Sequence, residues 1–293
     1  MNSQIDTKPN AVLYPFSVTL AFCTFLLLIA GGLVTSHEAG LAVPDWPLSY
    51  GQLFPPMVGN IFWEHGHRMI AGFVGVLTLI FALCAARMDG RRWFRRLAWT
   101  ALLMVVAQAI LGGLTVKLLL PPAISIFHAC LAQTFFTVTV ALAYFSGSHY
   151  QNTDTRREAW KTNFAHNALV MFGFIYLQLL LGAIVRHTSE GIVYHVINGV
   201  MVLLMQMNVL SSIMKQSFGT AEKRLACLIA ALTVGQFFAG IGAYIYTHQL
   251  ERGYAPRLAE VILTSFHHSN GALILALSFL LYLVIKRTSC RLP

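Results

Sequence analysis

The stretch Trp63-Glu64-His65-Gly66-His67-Arg68 packs four ionisable groups into five residues at the mouth of an otherwise apolar run. Charge at the edge of lipid is costly, and dressing a helix end accounts for one such group more readily than for four. In a helix, Glu64 and His67 share a face at spacing i, i+3, while His65 points away. A carboxylate and an imidazole in one pocket suit proton transfer, and a neutral imidazole is also a good iron ligand.

Those residues need elements to position them, and composition says which kind. Of 293 residues, 57% are hydrophobic and 11% charged, and the mean hydropathy is +0.66. A soluble domain carries about one quarter charged residues, so a polytopic membrane protein is expected. Runs of the roughly 20 residues needed to cross hydrocarbon occur at 12–35, 63–86, 96–118, 122–146, 164–186, 191–214, 224–247 and 260–285. Eight helical spans follow.

The net charge of +9 does not point to nucleic acid, because of where it sits. With the N-terminus inside, only Arg68, Lys117, Arg186, Arg252 and Arg257 fall at the outer ends, and the other fifteen of the 20 Lys and Arg are inside. By the positive-inside rule both termini are cytoplasmic, as for an integral protein of a bacterial cytoplasmic membrane. Residues 1–10 are polar and no small-residue cleavage site ends the first run, so span 1 reads as a retained helix. Cys23, Cys84, Cys130, Cys227 and Cys290 have no metal-ligand spacing and read as buried small hydrophobes.

The polar stretch at 149–162 divides the chain into an N-terminal four-helix bundle, 1–148, and a C-terminal one, 163–293. Internal similarity supports the division. Gly182-Ala183-Ile184-Val185-Arg186-His187 echoes Gly32-Leu33-Val34-Thr35-Ser36-His37, Gln236 with Gly240 echoes Gln108 with Gly112, and Phe266-His267 echoes Phe127-His128. His195 with Gly199 echoes His67 with Ala71. The offsets differ only at outer loops: the second half lacks most of the long loop at 36–62, whose Pro44-Asp45-Trp46-Pro47 suits an ordered lid, and it gains residues around 250–258. The expected fold class is therefore all-α, with eight transmembrane helices as two tandem, pseudo-symmetric bundles.

Among eleven histidines, His67, His128, His195 and His267 open spans 2, 4, 6 and 8 at matching places. A single histidine in a span more often donates to a neighbouring carbonyl. Four at matching places point to haem iron, held between His67 and His128 in one bundle and between His195 and His267 in the other. Zinc is less suited, because neither half offers a third ligand at convincing spacing. The repeat selects His267 over His268, and it leaves His65 without a role. The halves differ in chemistry: Ile192 stands opposite Glu64 and Val196 opposite Arg68. One bundle would react and the other would carry electrons.

The run Gly40-Leu41-Ala42-Val43-Pro44-Asp45-Trp46-Pro47, then Glu64 with His67-Arg68, Gly112-Gly113-Leu114-Thr115-Val116, His128 and Gly182-Ala183-Ile184-Val185-Arg186-His187, together resemble the haem A synthases, the CtaA and Cox15 group. The resemblance implies oxidation of the C8 methyl of haem O to the formyl of haem A, for haem-copper oxidases. It implies that haem O, the substrate, lies between His67 and His128, that haem b, the cofactor, lies between His195 and His267, and that Glu64 is catalytic. Arg68 would meet a propionate. Two departures stand out. Residues 36–62 contain no cysteine where many bacterial members carry a pair, and His195 is followed by Val196 rather than arginine. Besides membrane lipid and the haems, the partners to test are haem O synthase, an electron acceptor such as a quinone, and a second copy of the chain; no nucleic acid is implied.

Two other classes fit part of the pattern. A dihaem membrane b-type cytochrome explains the histidines and leaves Glu64 and the lid idle. A transporter with parallel repeats predicts polar residues near the midplane, whereas the ionisable groups here lie near one face.

Overall fold

Eight apolar runs become eight long helices in a computed structural model that describes residues 11–151, 161–250 and 256–289. They are α1 (Leu13–Ser36), α2 (Gly59–Met88), α3 (Arg92–Lys117), α4 (Pro122–Ser146), α6 (Lys161–Thr188), α7 (Ile192–Lys215), α8 (Thr220–Tyr244) and α9 (Leu258–Ser289), with a four-residue turn α5 (Ser148–Gln151) after α4. All eight are long and apolar enough to span a membrane. Among the described residues the one extended pairing is an isolated bridge between Ser49 and Gln52. The expected linker at 149–162 and the insertion around 250–258 fall largely outside the described residues, as does Cys290.

Helix ends follow local chemistry. Pro122 opens α4, where its missing N–H costs nothing. Leu119 and Leu120, both with φ of 58°, reverse the chain after α3. Within the spans, Thr24, Thr78 and Thr137 return their hydroxyls to carbonyls four residues back. Such bonds let polar side chains sit in an apolar interior. α8 ends in one π-helical turn, Ile245–Gln249.

α1 packs on α2, α2 on α3, α3 on α4 and α4 back on α1; α6, α7, α8 and α9 close a second ring in the same way. The rings meet where α1 and α4 touch α9 and where α4 touches α6. The first ring has its own core around Phe81, Phe94 and Leu142, and the second around Met171, Ile213 and Leu275. A third cluster, Leu28, Phe136, Ala272 and Ala276, fills the seam. Lipid gives helices no hydrophobic reason to associate, so close van der Waals contact through small residues has to do it, and the alanines of α9 supply that.

The connection between α1 and α2, residues 37–58, is long and ordered; the one between α6 and α7 is only residues 189–191. The long connection is tied down at several points. Trp46 lies flat on α3 at Gly113, where an added Cβ would meet the indole at 2.8 Å. Gly40 sits against Leu120 of the α3–α4 turn.

Candidate functional site

α2 begins four residues before the apolar run does, so Glu64 and Arg68 lie one turn apart within the helix. Glu64 is 4% exposed. Its Oε2 accepts the Val43 N–H at 2.8 Å, and its Oε1 accepts from the Arg68 guanidinium. Arg68 donates further to the carbonyls of Asp45 at 2.8 Å and Leu48 at 2.9 Å. Both expected site residues are thus turned to the lid: Glu64 is paired with Arg68 and the Val43 N–H, and Arg68 is engaged by lid carbonyls where a propionate was expected. His65, without a role in the sequence, is buried and shares a hydrogen bond with Ser49 Oγ at 2.8 Å. The lid itself is braced by Asp45, whose carboxylate accepts from the N–H groups of Tyr50 and Gly51. The Gly51 N–H, with the Tyr50 N–H and the Arg68 charge behind it, holds the Asp45 carboxyl below its ordinary range.

The four histidines all sit at the end of the molecule where α1, α3, α6 and α8 finish. Each turns its Cε1 edge to a glycine on the preceding long helix. A Cβ on Gly31 would meet His67 at 3.1 Å, one on Gly112 would meet His128 at 3.4 Å, one on Gly182 would meet His195 at 3.0 Å, and one on Gly240 would meet His267 at 2.9 Å. The glycine facing His67 is Gly31, one residue before the Gly32 chosen by sequence alignment. Gly32 instead receives His268, whose Cδ2 lies 3.1 Å from where its Cβ would be.

The rings of His195 and His267 meet edge-on, with planes 67° apart and centroids 6.2 Å apart. Metal–imidazole bonds of about 2 Å on opposite sides of one iron put ring centroids roughly 6 Å apart, so this pair fits a bis-histidine haem. His267 Nδ1 lies 3.2 Å from the Gln236 carbonyl. Donating there fixes the tautomer and leaves the Nε2 lone pair for a metal. His67 and His128 are near enough for a charge on one to act on the other, and each has a buried Nδ1 without a protein partner. Unpartnered imidazole nitrogens set in glycine notches fit a group that comes from outside the chain. Among the described residues, no three His, Cys, Asp or Glu cluster as metal ligands.

Glutamines brace the histidine-bearing helices. Gln108 Nε2 donates to the His128 carbonyl at 3.0 Å, Gln178 Nε2 to that of His195 at 2.9 Å, and Gln236 Nε2 to that of His267 at 2.8 Å. In the second ring, Asn198 Nδ2 donates to Gln178 Oε1 at 2.7 Å and Asn270 Nδ2 to Gln236 Oε1 at 2.9 Å. Sequence reasoning found Gln108 and Gln236 but missed Gln178 and both asparagines. The signal was there: His195-Val196-Ile197-Asn198-Gly199 and His267-His268-Ser269-Asn270-Gly271 share a His-x-x-Asn-Gly pattern.

These features define a class, an all-α integral membrane protein with two pairs of helix-borne histidines beneath one end of the bundle. Comparison with known proteins narrows the class. Residues 58–201, from α2 into α7, match the family described as "Cytochrome oxidase assembly protein" (COX15-CtaA). The chain is similar to the "Heme A synthase" of Listeria welshimeri, 28% identical over 180 residues, covering 60% of this chain and 59% of that one. It is similar to that of Alkalihalophilus pseudofirmus, 22% identical over 281 residues, covering 85% and 93%, and to that of Lysinibacillus sphaericus, 25% identical over 187 residues, covering 63% and 61%. The chain thus spans less than two thirds of the length of the Listeria relative it matches.

Proposed function

We propose that the protein is a haem A synthase, which oxidises the C8 methyl of haem O to the formyl of haem A. The observation that carries this reading is the four-fold seating of a histidine in a glycine notch, with a buried carboxylate one turn from a ligand in the first ring alone. The names of the relatives support the same activity. In this reading the two rings are two bundles, one for substrate and one for haem b, with both termini cytoplasmic and both pairs toward the outer face.

His67 and His128 hold the iron of haem O, and His195 and His267 hold that of haem b. Bound there, the haems supply the redox chemistry. The chain's own residues do the rest. Glu64, paired with Arg68, accepts a proton released as the methyl is oxidised. The lid is fastened to Glu64, His65 and Arg68 and so covers the carboxylate beside the first pair. Arg68 is the cation beside His67 for a propionate, and reaching one means exchanging a lid carbonyl for it. The farnesyl tail reaches its place from the lipid, between helices. An electron acceptor such as a quinone completes the cycle, and haem O synthase is the natural donor of substrate.

Haem extraction and reverse-phase chromatography test the reading on protein made with a haem O supply. Haem A or hydroxylated haem O in the wild type is the expected result, with haem O retained but not converted in Glu64→Gln. Haem b alone in the wild type identifies an electron-carrying dihaem cytochrome instead. Undiminished haem A in Glu64→Gln removes the carboxylate from the chemistry.

A further inference from the structure

Three glutamines donate to the backbone carbonyls of three of the histidines, and a carbonyl can only accept, so in each the Nε2 atom is assigned and the Oε1 atom is left over. In the second ring that oxygen is satisfied from within the chain, by Asn198 for Gln178 and by Asn270 for Gln236. In the first ring Leu131 stands three residues after His128, where Asn270 stands three after His267. Leucine offers no donor, and Gln108 Oε1 is buried without a hydrogen-bond partner. An unsatisfied acceptor in an apolar setting is costly and needs a donor from elsewhere. Gln108 is one turn from Gly112, the residue against which His128 rests, so this oxygen belongs to the wall of the first histidine pair.

The two haems of the proposed function differ in one donor. Haem O carries a hydroxyl on the carbon that joins its farnesyl chain to the macrocycle, whereas haem b has a vinyl group at that position. We propose that Gln108 Oε1 accepts this hydroxyl, so that Gln108 is the residue that selects haem O over haem b at the first pair, while Asn270 closes the corresponding acceptor at the second. The inference rests on the haem A synthase reading. It assigns substrate selection to a residue outside the set of iron ligands and the glutamate.

The full-length protein is produced in cells that make both haems, and its bound haems are extracted and separated by reverse-phase chromatography, with optical spectra recorded beforehand. Wild type is expected to hold haem O or its oxidised products beside haem b. One neutral hydrogen bond is worth roughly a three- to tenfold preference. Gln108→Leu removes the acceptor, and Leu131→Asn satisfies it internally as in the second ring. Both should shift the haem at the first pair toward haem b by about that factor, with total haem and the histidine-ligated spectrum kept. The second variant leaves the Gln108 brace on His128 in place, so it decides the matter should the first fail to fold. An unchanged haem ratio in Leu131→Asn overturns the role of Gln108 and leaves the synthase reading standing. Wild type that takes up no haem O or oxidised product overturns the synthase reading itself, and the selection with it.

Discussion

Each of the four histidines is positioned by what the facing helix lacks. Gly240 leaves 2.9 Å between a would-be Cβ and His267 Cε1, and Gly112 leaves 3.4 Å before His128. Gly240→Ala therefore has to push a ring already engaged at Nδ1 by the Gln236 carbonyl. Overpacking of this kind costs about 1–3 kcal/mol. In the proposed function Gly240→Ala should lose low-spin haem b absorbance, and Gly112→Ala, at ordinary contact distance, should keep the haem of the first pair; optical spectra of the purified variants check both. At this scale the sequence carried the histidines well, since repetition singled them out. It could not choose between Gly31 and Gly32, because adjacent residues diverge by about 100° around a helix and both are glycine. Gln178 escaped because its counterpart before His67 is Leu27, so no match between the halves drew attention to it.

Among the elements, the lid between α1 and α2 is the one whose stability depends on a titrating group outside the membrane. Asp45 has its pKa lowered from 3.8, chiefly by the Gly51 N–H. A depressed carboxylate contributes stability that is complete above its unfolded pKa and is lost as pH falls through the folded one. The turn at 45–51 should stay closed from neutral pH down to about 4 and open only below that. Hydrogen exchange at the Tyr50 and Gly51 amides, corrected for intrinsic rate, reads this directly, and Asp45→Ala should expose both amides at every pH. An ordered lid was legible in Pro44-Asp45-Trp46-Pro47. Its fastening was not, because Glu64 and the Val43 N–H are 21 residues apart and no periodicity links them. The same fastening explains why Arg68 reads as a propionate partner in sequence and as a lid clamp in space.

For the molecule as a whole, the seam decides whether the rings act together. Ala272 is fully buried there, with Leu28 and Phe136 in the same cluster. Ala272→Leu should overfill the seam and destabilise the chain by about 1–3 kcal/mol, seen as a lowered Tm in detergent. Leucine for Val234, which is half-exposed on the outer surface of α8, should leave Tm unchanged. Eight helices and their order were readable from hydropathy alone. The seam was not, because Leu28, Phe136, Ala272 and Ala276 are apolar residues of the same kind as those the helices turn to lipid, so hydropathy does not set them apart.

Gly31 and Gly32 are neighbours on α1, and His267 and His268 are neighbours on α9. Gly31 touches His67, Gly32 touches His268, and His267 meets His195. The line from His67 to His195 therefore passes through two dipeptides, each holding one partner on either side. A Cβ added at either glycine of α1 would come to 3.1 Å from an imidazole, so neither position has room for a side chain. The end of α1 thus borders both histidine pairs, directly at His67 and through His268 beside His267, so a side chain added at Gly31 bears on the first pair and one added at Gly32 on the second.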